Sequence, residues 1–452
     1  MKIIIIGAGQ LGSSLAINLV REGNDITLID TRADLLEKIE DKIDLKTIKG
    51  NGAHPSLLQL AGAEDAHMLI AVSHSDEINM VACQVAYTVF NVPKKIARIR
   101  ETEYIAHESL FSHDSMPIDV LITPEMLVSN YIQELISHPG AHKIFMFENK
   151  KTCMVNLKLN SNNEQLFLIE DIQKKIQEYN SYILLLGSNK KMFKYGLDKT
   201  YDDDEIDEIF FTCNHKDINT IIDIITNVNI QNKRVMVAGG GKIGKHLCES
   251  ISNLFQVKLI EENEANANYL SENLEDVTVI CGDSSNEDIL LEENIEHMDI
   301  FCSLTDDDEA NVLSSMLAKR LGAKSVISII NKSSYSDLVE KDSIDIFISP
   351  EELTMGNILT HVRQGGVVSV HTLNQVSEEI IEVSINEAGE KSKIIGKQIN
   401  QIDIPKDIVI CCILRNEEFI FDIEKTIIEN DDHLIIYIAN KKSVSEVENL
   451  FG

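Results

Sequence analysis

Blocks of apolar residues alternate with mixed blocks along the chain. Residues 3–6, IIII, form a continuous apolar run. Such a run predicts a strand buried on both faces of a parallel sheet. SSLAINLVREG follows, with Leu15, Ile17, Leu19 and Val20 on a helical pattern and Gly23 as a stop. DITLID (25–30) reads as a second strand, ADLLEKIEDKI as a second helix, and LKTIKGNG as a third strand leading to a turn. HMLIAVSHSDE holds a fourth strand, INMVACQVAYTVFNV a helix, KKIARIR a fifth strand ending at Arg100, and VLITPEMLVSNYIQELI a last strand and helix. Strands alternating with helices predict a doubly wound α/β sheet.

The pattern then starts again. VMVAGGGKIGKHL (235–247) repeats the opening MKIIIIGAGQLGSSL, so that Gly239 answers to Gly7 half a chain later. VKLIEEN answers to ITLIDTR, D-E-x-N recurs at Asp76–Asn79 and Asp308–Asn311, and SPEELTMGNIL (349–359) answers to TPEMLVSNYI. We expect two Rossmann-like domains, residues 1–140 and 228–366. Each precedes a smaller β-rich α+β domain, residues 141–227 and 367–452, with turns such as EAGEK and RNEEF. DDEIDEIFFTC (203–213) and ENDDHLIIYIA (429–439) read as the same closing strand. NVNIQNK, from 227, is the polar linker.

The candidate chemistry sits at the repeated glycines. In G-x-G-x-x-G the first glycine allows a tight turn and the second lets backbone approach a pyrophosphate. The third lets the helix pack on the strand. Gly7, Gly9 and Gly12 fill these roles in the first half; Gly239, Gly241 and Gly244 fill them in the second. The motif also wants an acid about 20 residues on, to bind the adenine ribose. Asp30 and Glu261 meet this, and a carboxylate there favours NAD over NADP. A glycine turn that only packs a helix is the plain alternative, weakened because motif and acid occur twice. Ser73 and His74, and in the second half Thr305 and Asp306, follow the fourth strand, at the edge where open sheets bind ligands. His74 reads as a solvated loop residue before it reads as a catalytic base. Arg98 suits a phosphate or an acid such as Glu77, and its counterpart stretch SVISII has no arginine. Asp283, opposite Asn51, either touches a ribose or caps a turn. The acid runs 202–205 and 306–309 read as solvated loops.

Charge narrows the function. With 41 basic and 73 acidic residues the net charge is −32. That opposes binding to nucleic acid or to an anionic membrane. No segment approaches the roughly 20 apolar residues of a membrane helix, so membrane association should run through a protein partner, with no lipid insertion. The eight cysteines lack C-x-x-C spacing. They read as buried, reduced thiols of a cytosolic protein, with no metal site.

The chain resembles the RCK (KTN) family of regulatory subunits of bacterial Trk-type potassium uptake systems. The resemblance covers nearly its whole length, through IIIIGAGQLG, GAHPSLLQLAGAEDAHMLIAVSHSDEINMVACQVAY, PIDVLITPE, GDSSNEDILL, DDDEANVLSSMLAKRLGAK, IDIFISPE and HVRQGG. It implies two units, each an RCK N-terminal domain followed by an RCK C-terminal domain. It implies a cytoplasmic protein, peripheral on the inner face of the membrane, seated on a K⁺-translocating subunit. A homo-oligomeric assembly, a tetramer, and binding of NAD(H), with regulation by ATP or ADP, are also implied. The family's dinucleotide contacts fall on Gly7, Ala8, Gly9, Gln10, Leu11, Asp30, Ser73, His74 and Arg98. In the second half they fall on Gly239, Gly240, Gly241, Lys242, Ile243, Glu261 and Thr305. The irregular first C-terminal module, with NSNNEQ and YDDDEID, leaves its ligand function open. The main competing reading is an NAD-dependent dehydrogenase, which would need an acid or base beside the nicotinamide. A DNA-binding regulator would need a basic reading helix, and none is visible.

Overall fold

The computed structural model describes residues 1–451 except 113–114, 160–168, 189–190, 196–205, 227–232, 333–342, 374–377 and 387–393. The linker from 227, the run NSNNEQ, most of YDDDEID, the acid run 202–205 and the EAGEK turn lie outside the described residues.

The first half opens with strands β1 (Lys2–Ile6), β2 (Asp25–Asp30), β3 (Lys46–Lys49), β4 (Met68–Ala71), β5 (Lys94–Arg98) and β6 (Val120–Ile122). They form one sheet in the order β3-β2-β1-β4-β5-β6, parallel throughout. Four consecutive isoleucines of β1 are buried because helices cover both faces. A small antiparallel sheet follows: β7 (Ala141–Met146), β8 (Thr152–Lys158), β9 (Tyr182–Ser188), β10 (Lys191–Lys194) and β11 (Glu208–Asn214). Its order is β10-β9-β11-β8-β7.

The second half repeats both sheets. Strands β12 (Arg234–Ala238), β13 (Gln256–Glu261), β14 (Val277–Cys281), β15 (Ile300–Ser303), β16 (Ser325–Ile329) and β17 (Ile346–Ile348) form a parallel sheet, β14-β13-β12-β15-β16-β17. Then come β18 (Val367–Thr372), β19 (Glu379–Ser384), β20 (Ile408–Arg415), β21 (Glu418–Ile420) and β22 (His433–Ile438), in the order β18-β19-β22-β20-β21. Read from opposite edges, the two small sheets have one topology. β11 and β22 are the matching central strands, as the two closing segments suggest.

Several expected boundaries move; the second helix, for one, ends at Glu40 and not at Ile43. β5 stops at Arg98, not Arg100, because the amides of Arg100 and Glu101 turn away to donate to the Asp76 carboxylate, both at 2.8 Å. The helix expected to reach Val92 ends at Thr88, and Asn91 takes a left-handed φ of 54° beyond it. One cysteine departs from expectation. Cys281 is exposed, since it ends the edge strand β14, whereas the other seven are buried and all eight are free.

Helix packing joins the halves. Helix Pro124–Ser137 leaves the first sheet and packs on helix Lys242–Ile251 of the second half. Val128, Ile132, Leu135 and Ile136 share a core with Leu247, Cys248 and Ile251. Helix Pro350–Val362 does the reciprocal: Met355, Ile358, Leu359 and Val362 share a core with Leu15 and Leu19 of helix Gln10–Arg21. The small sheets also pack together, with Phe145, Met154 and Phe210 in one cluster with Ile380, Cys412 and Tyr437. Burying these apolar stripes against the opposite half, at about 25 cal/mol per Å², makes the halves one body around a pseudo-twofold axis.

Candidate nucleotide site

The first glycine turn follows β1. Gly7 has a φ of +103°, and a Cβ there would lie 2.9 Å from the Ser73 backbone. A Cβ on Gly12 would lie 1.8 Å from the Gly7 carbonyl oxygen. Only glycine permits this contact of helix and strand. A Cβ on Gly9, by contrast, would meet nothing within 4 Å. That side of the turn is open to a ligand. Gly9 is also the N-cap of helix Gln10–Arg21 and offers no capping side chain. The first-turn amides and the helix dipole therefore face the opening, an arrangement suited to phosphate.

Asp30, at the end of β2, braces the turn. One carboxylate oxygen accepts from the Ala8 amide at 2.6 Å and the other from the Arg32 amide at 2.8 Å. Gly7, Gly9, Gln10, Leu11, Gly12, Asp30, Ser73, His74 and Arg98 line one cleft of about 230 Å³. A second cleft of about 400 Å³ adjoins it through Gly7, Asp30, Arg32, Ser73 and His74, and extends to Asn51 and Ile78. Ala8 is buried behind the turn and contributes its amide. His74 is exposed.

Arg98 is the unsatisfied group. Its Nε is buried without a hydrogen-bond partner. Burial, reinforced by Arg100, pulls its pKa down. The expected alternative pairing with Glu77 is not formed: Glu77 accepts from the Ser75 hydroxyl at 2.7 Å and the Tyr104 hydroxyl at 3.4 Å. A buried donor without a partner is costly and calls for an anion.

Ser73 is less free than its position suggests. Its amide and hydroxyl both donate to Asn79 Oδ1, at 3.0 and 2.8 Å, and Asn79 Nδ2 donates onward to the carbonyls of Ser73 and Arg98. Thr305 and Asn311 repeat this clamp, reaching the Ile329 carbonyl. The D-E-x-N motif is thus a device that ties the loop after the fourth strand to the fifth. Its aspartates are buried; within the run 306–309, read as solvated, Asp308 alone departs, while Asp306, Asp307 and Glu309 are exposed. Asp76 holds Arg100 and Glu101, and Asp308 accepts from the Asn331 and Lys332 amides, both at 2.9 Å.

These loops cross to the other half. Gln10 Nε2 donates to the Asn331 carbonyl at 2.5 Å, and Lys242, its counterpart, donates to the Arg100 carbonyl at 3.3 Å and pairs with Glu101 at 2.8 Å. Asn331, Pro350, Glu351 and Thr354 of the second half line the first cleft. Sequence reading misses them because partners in the opposite half of the chain leave no local signal; it also misses Arg32, two residues past Asp30, which also lines the cleft.

The second turn has the same skeleton. Gly239 has a φ of +101°, a Cβ on Gly244 would lie 2.0 Å from the Gly239 carbonyl, and one on Gly241 would meet nothing within 4 Å. Glu261 accepts from the Gly240 amide at 2.8 Å. The place of Arg98 is taken by Ile329, which is buried. Ile243 packs against the core, and Asp283 caps its own turn through the Ser285 amide and hydroxyl, at 2.8 and 2.7 Å. Arg100, from the first half, pairs with Glu125 at 2.6 Å, and Asp306 adds to its field.

The family model described as TrkA-N domain matches residues 3–124 and 235–350, and that described as TrkA-C domain matches 386–452. The Trk system potassium uptake proteins TrkA of Halomonas elongata and Vibrio alginolyticus are each 41% identical to this chain, over 100% of it and 98% of their own length. The chain belongs to the TrkA family. Members of this family are potassium uptake proteins, and the duplication read from the glycine turns is the doubled TrkA-N domain. A GsuK channel bound to NAD shares the fold, with a TM-score of 0.61 at 14% identity, over 99% of this chain and 79% of that one. The first small domain has the strand order of the second, whose strands β20 to β22 fall within the matched TrkA-C region. Among the described residues no helix is long and apolar enough to cross a membrane.

Proposed function

We propose that this chain is the nucleotide-responsive regulatory subunit of a Trk-type potassium uptake system. NAD(H) is the ligand of the first site. Asp30 would take the adenine ribose, the open turn at Gly9 and the amides from Gln10 and Leu11 the pyrophosphate, and Arg98 a phosphate charge. ATP and ADP share the adenosine and phosphate groups that this set reads. The second site, with Gly239 to Gly244, Glu261, Thr305 and Asp283, would take an adenine nucleotide without the Arg98 contact. NAD(H) supplies hydride chemistry in enzymes, but the role proposed for it here is that of a bound signal, without turnover.

The observation that carries this reading is the shared cleft: residues of both halves line the first site. A ligand that bridges them shifts the equilibrium between relative placements of the halves. The domain limits at 140, 227 and 366 then separate units that the crossing helices re-couple. We place the protein on the cytoplasmic face of the membrane, as a homo-tetramer docked on a membrane-embedded K⁺-translocating subunit. The acidic surface would keep it off bare lipid. The fold likeness and the family's potassium uptake role support this reading.

Calorimetric titration with NADH, NAD⁺ and ATP tests the ligand. Co-purification from membranes, with mass spectrometry of the captured protein, tests the partner. Saturable NAD(H) binding and capture of a K⁺-translocating protein are expected. Oxidation of NADH with a small substrate, or tight binding to protein-free anionic vesicles, would overturn the proposal.

A further inference from the structure

Far from the glycine turns, three metal-ligating side chains converge. Glu134 lies in the last turn of the crossing helix, and His138 is its C-cap residue. His215 follows β11 in the first small domain. Glu134 Oε2 lies 2.8 Å from His215 Nε2 and 3.5 Å from His138 Nε2, and the two imidazole nitrogens are 3.4 Å apart. The rings meet edge to face at 86°. His138 is buried, and the other two side chains keep 35% exposure, so solvent reaches the cluster.

The tautomer is set by a neighbour. Asn219 Nδ2 donates to the Ser137 carbonyl at 3.3 Å, which turns its Oδ1 toward His138 Nδ1 at 2.9 Å. His138 therefore carries its proton on Nδ1 and presents the Nε2 lone pair to the cluster. His215 Nε2 already gives its hydrogen to Glu134. In the neutral state a buried lone pair is left facing a donor that is spent elsewhere. A cation placed between the three atoms would remove the conflict.

Their spacing identifies the cation. Tetrahedral zinc holds nitrogen and oxygen at about 2.0–2.2 Å, which sets ligand atoms about 3.3 Å apart. Two of the three separations are already near this value; the third is a direct hydrogen bond that must open by about 0.5 Å. Two imidazoles and one carboxylate suit zinc and its late first-row neighbours, whereas magnesium and calcium prefer all-oxygen sites. The Asn219 carbonyl behind His138 is the outer partner such a ligand requires. We infer that Glu134, His138 and His215 form a zinc-type metal site with one coordination position left for water, clamping the crossing helix to the first small domain. This differs from the sequence expectation of no metal, which rests on cysteine spacing alone.

The site is one-sided. In the register that aligns Pro350 with Pro124, the counterparts are Thr360, Gln364 and Lys441. They cannot hold this metal, so this site is expected once per chain; a separate group, Glu148, Glu382 and His433, offers a single imidazole.

The test uses the full chain, stripped with a chelator and titrated with Zn²⁺ alone. One equivalent should bind per chain. X-ray absorption of the loaded protein should show nitrogen and oxygen neighbours and no sulfur. His215→Gln and Glu134→Gln should each weaken binding more than about a hundredfold, and Asn219→Ala about ten- to a hundredfold, with unchanged circular dichroism. Absence of saturable binding, a sulfur neighbour, or wild-type affinity in His215→Gln would overturn the site. Should a variant fail to fold, the absorption spectrum of the wild-type protein still decides.

Discussion

At the first glycine turn Arg98 faces the cleft with a buried, unpaired Nε; at the second turn the same strand position is the buried Ile329. The backbone around both turns is otherwise alike, down to the carboxylate that braces each. The divergence continues into the small domains. Arg363, with 1% of its side chain exposed, bonds Glu379 at 2.8 Å and Glu22 at 2.6 Å. In the register that aligns Pro124 with Pro350, Arg363 and Glu379 correspond to Ser137 and Cys153 of the first half. His371 lies against its own counterpart Phe145, with ring centroids 4.9 Å apart, next to the pseudo-twofold axis. Apolar periodicity and glycine positions preserve a duplicated skeleton, while single polar positions give the halves different chemistry.

The largest effect should come from the skeleton. Gly12→Ala drives a Cβ into the Gly7 carbonyl and should cost more than about 3 kcal/mol of stability. Gly9→Ala, with open space at its Cβ, should leave the melting temperature nearly unchanged and impair ligand binding. Equal melting temperatures for the two variants would remove the distinction between a packing glycine and an approach glycine. Next in size, Arg363→Met strands the buried Glu22 carboxylate, leaves Glu379 only Lys441 at 3.4 Å, and should cost about 3–5 kcal/mol by urea unfolding. Ser137→Ala, at the equivalent place, should cost under about 1 kcal/mol.

His371 gives the pH dependence of the contrast. Burial lowers its pKa from 6.5 to about 4, despite the bond to the Met146 carbonyl. A base whose folded pKa is depressed stays neutral in the native state and charges on unfolding. Its stability contribution is therefore complete above pH 6.5 and falls away as pH drops toward 4. The loss is about 3 kcal/mol. His371→Phe, which copies Phe145, should flatten this part of the urea-midpoint profile, and an unchanged slope would assign the acid sensitivity elsewhere. Smaller again, Arg98→Ile gives the first site the second site's residue. Loss of a charge-assisted bond should weaken NADH binding roughly ten- to a hundredfold, about 1.5–3 kcal/mol. Titration calorimetry would show it, and undiminished affinity would detach Arg98 from the ligand.

Much of this architecture is legible in the sequence because it is local. The isoleucine run of β1, the limits of DITLID and the glycine spacing report buried strands and a tight turn within a short window. The acids at 30 and 261 are found by their distance from those turns. What stays hidden is long-range. The stripe Val128, Ile132, Leu135 says that a helix buries one face, but not that it crosses to the other half. Asp308 reads as a loop acid, since its amide partners lie beyond the next strand. Asn331 closes a site that starts at Gly7, and no window along the chain holds both. Arg98 is visible as a cation on a strand, yet only packing shows that its Nε is buried without a hydrogen-bond partner.

The central claim is that two like turns make two unlike sites. Calorimetric titration of NADH into wild type, Asp30→Ala and Glu261→Ala tests it most directly. Two phases are expected for wild type, with Asp30→Ala losing the tighter and Glu261→Ala the weaker. A single class of sites, weakened equally by both substitutions, would contradict the account.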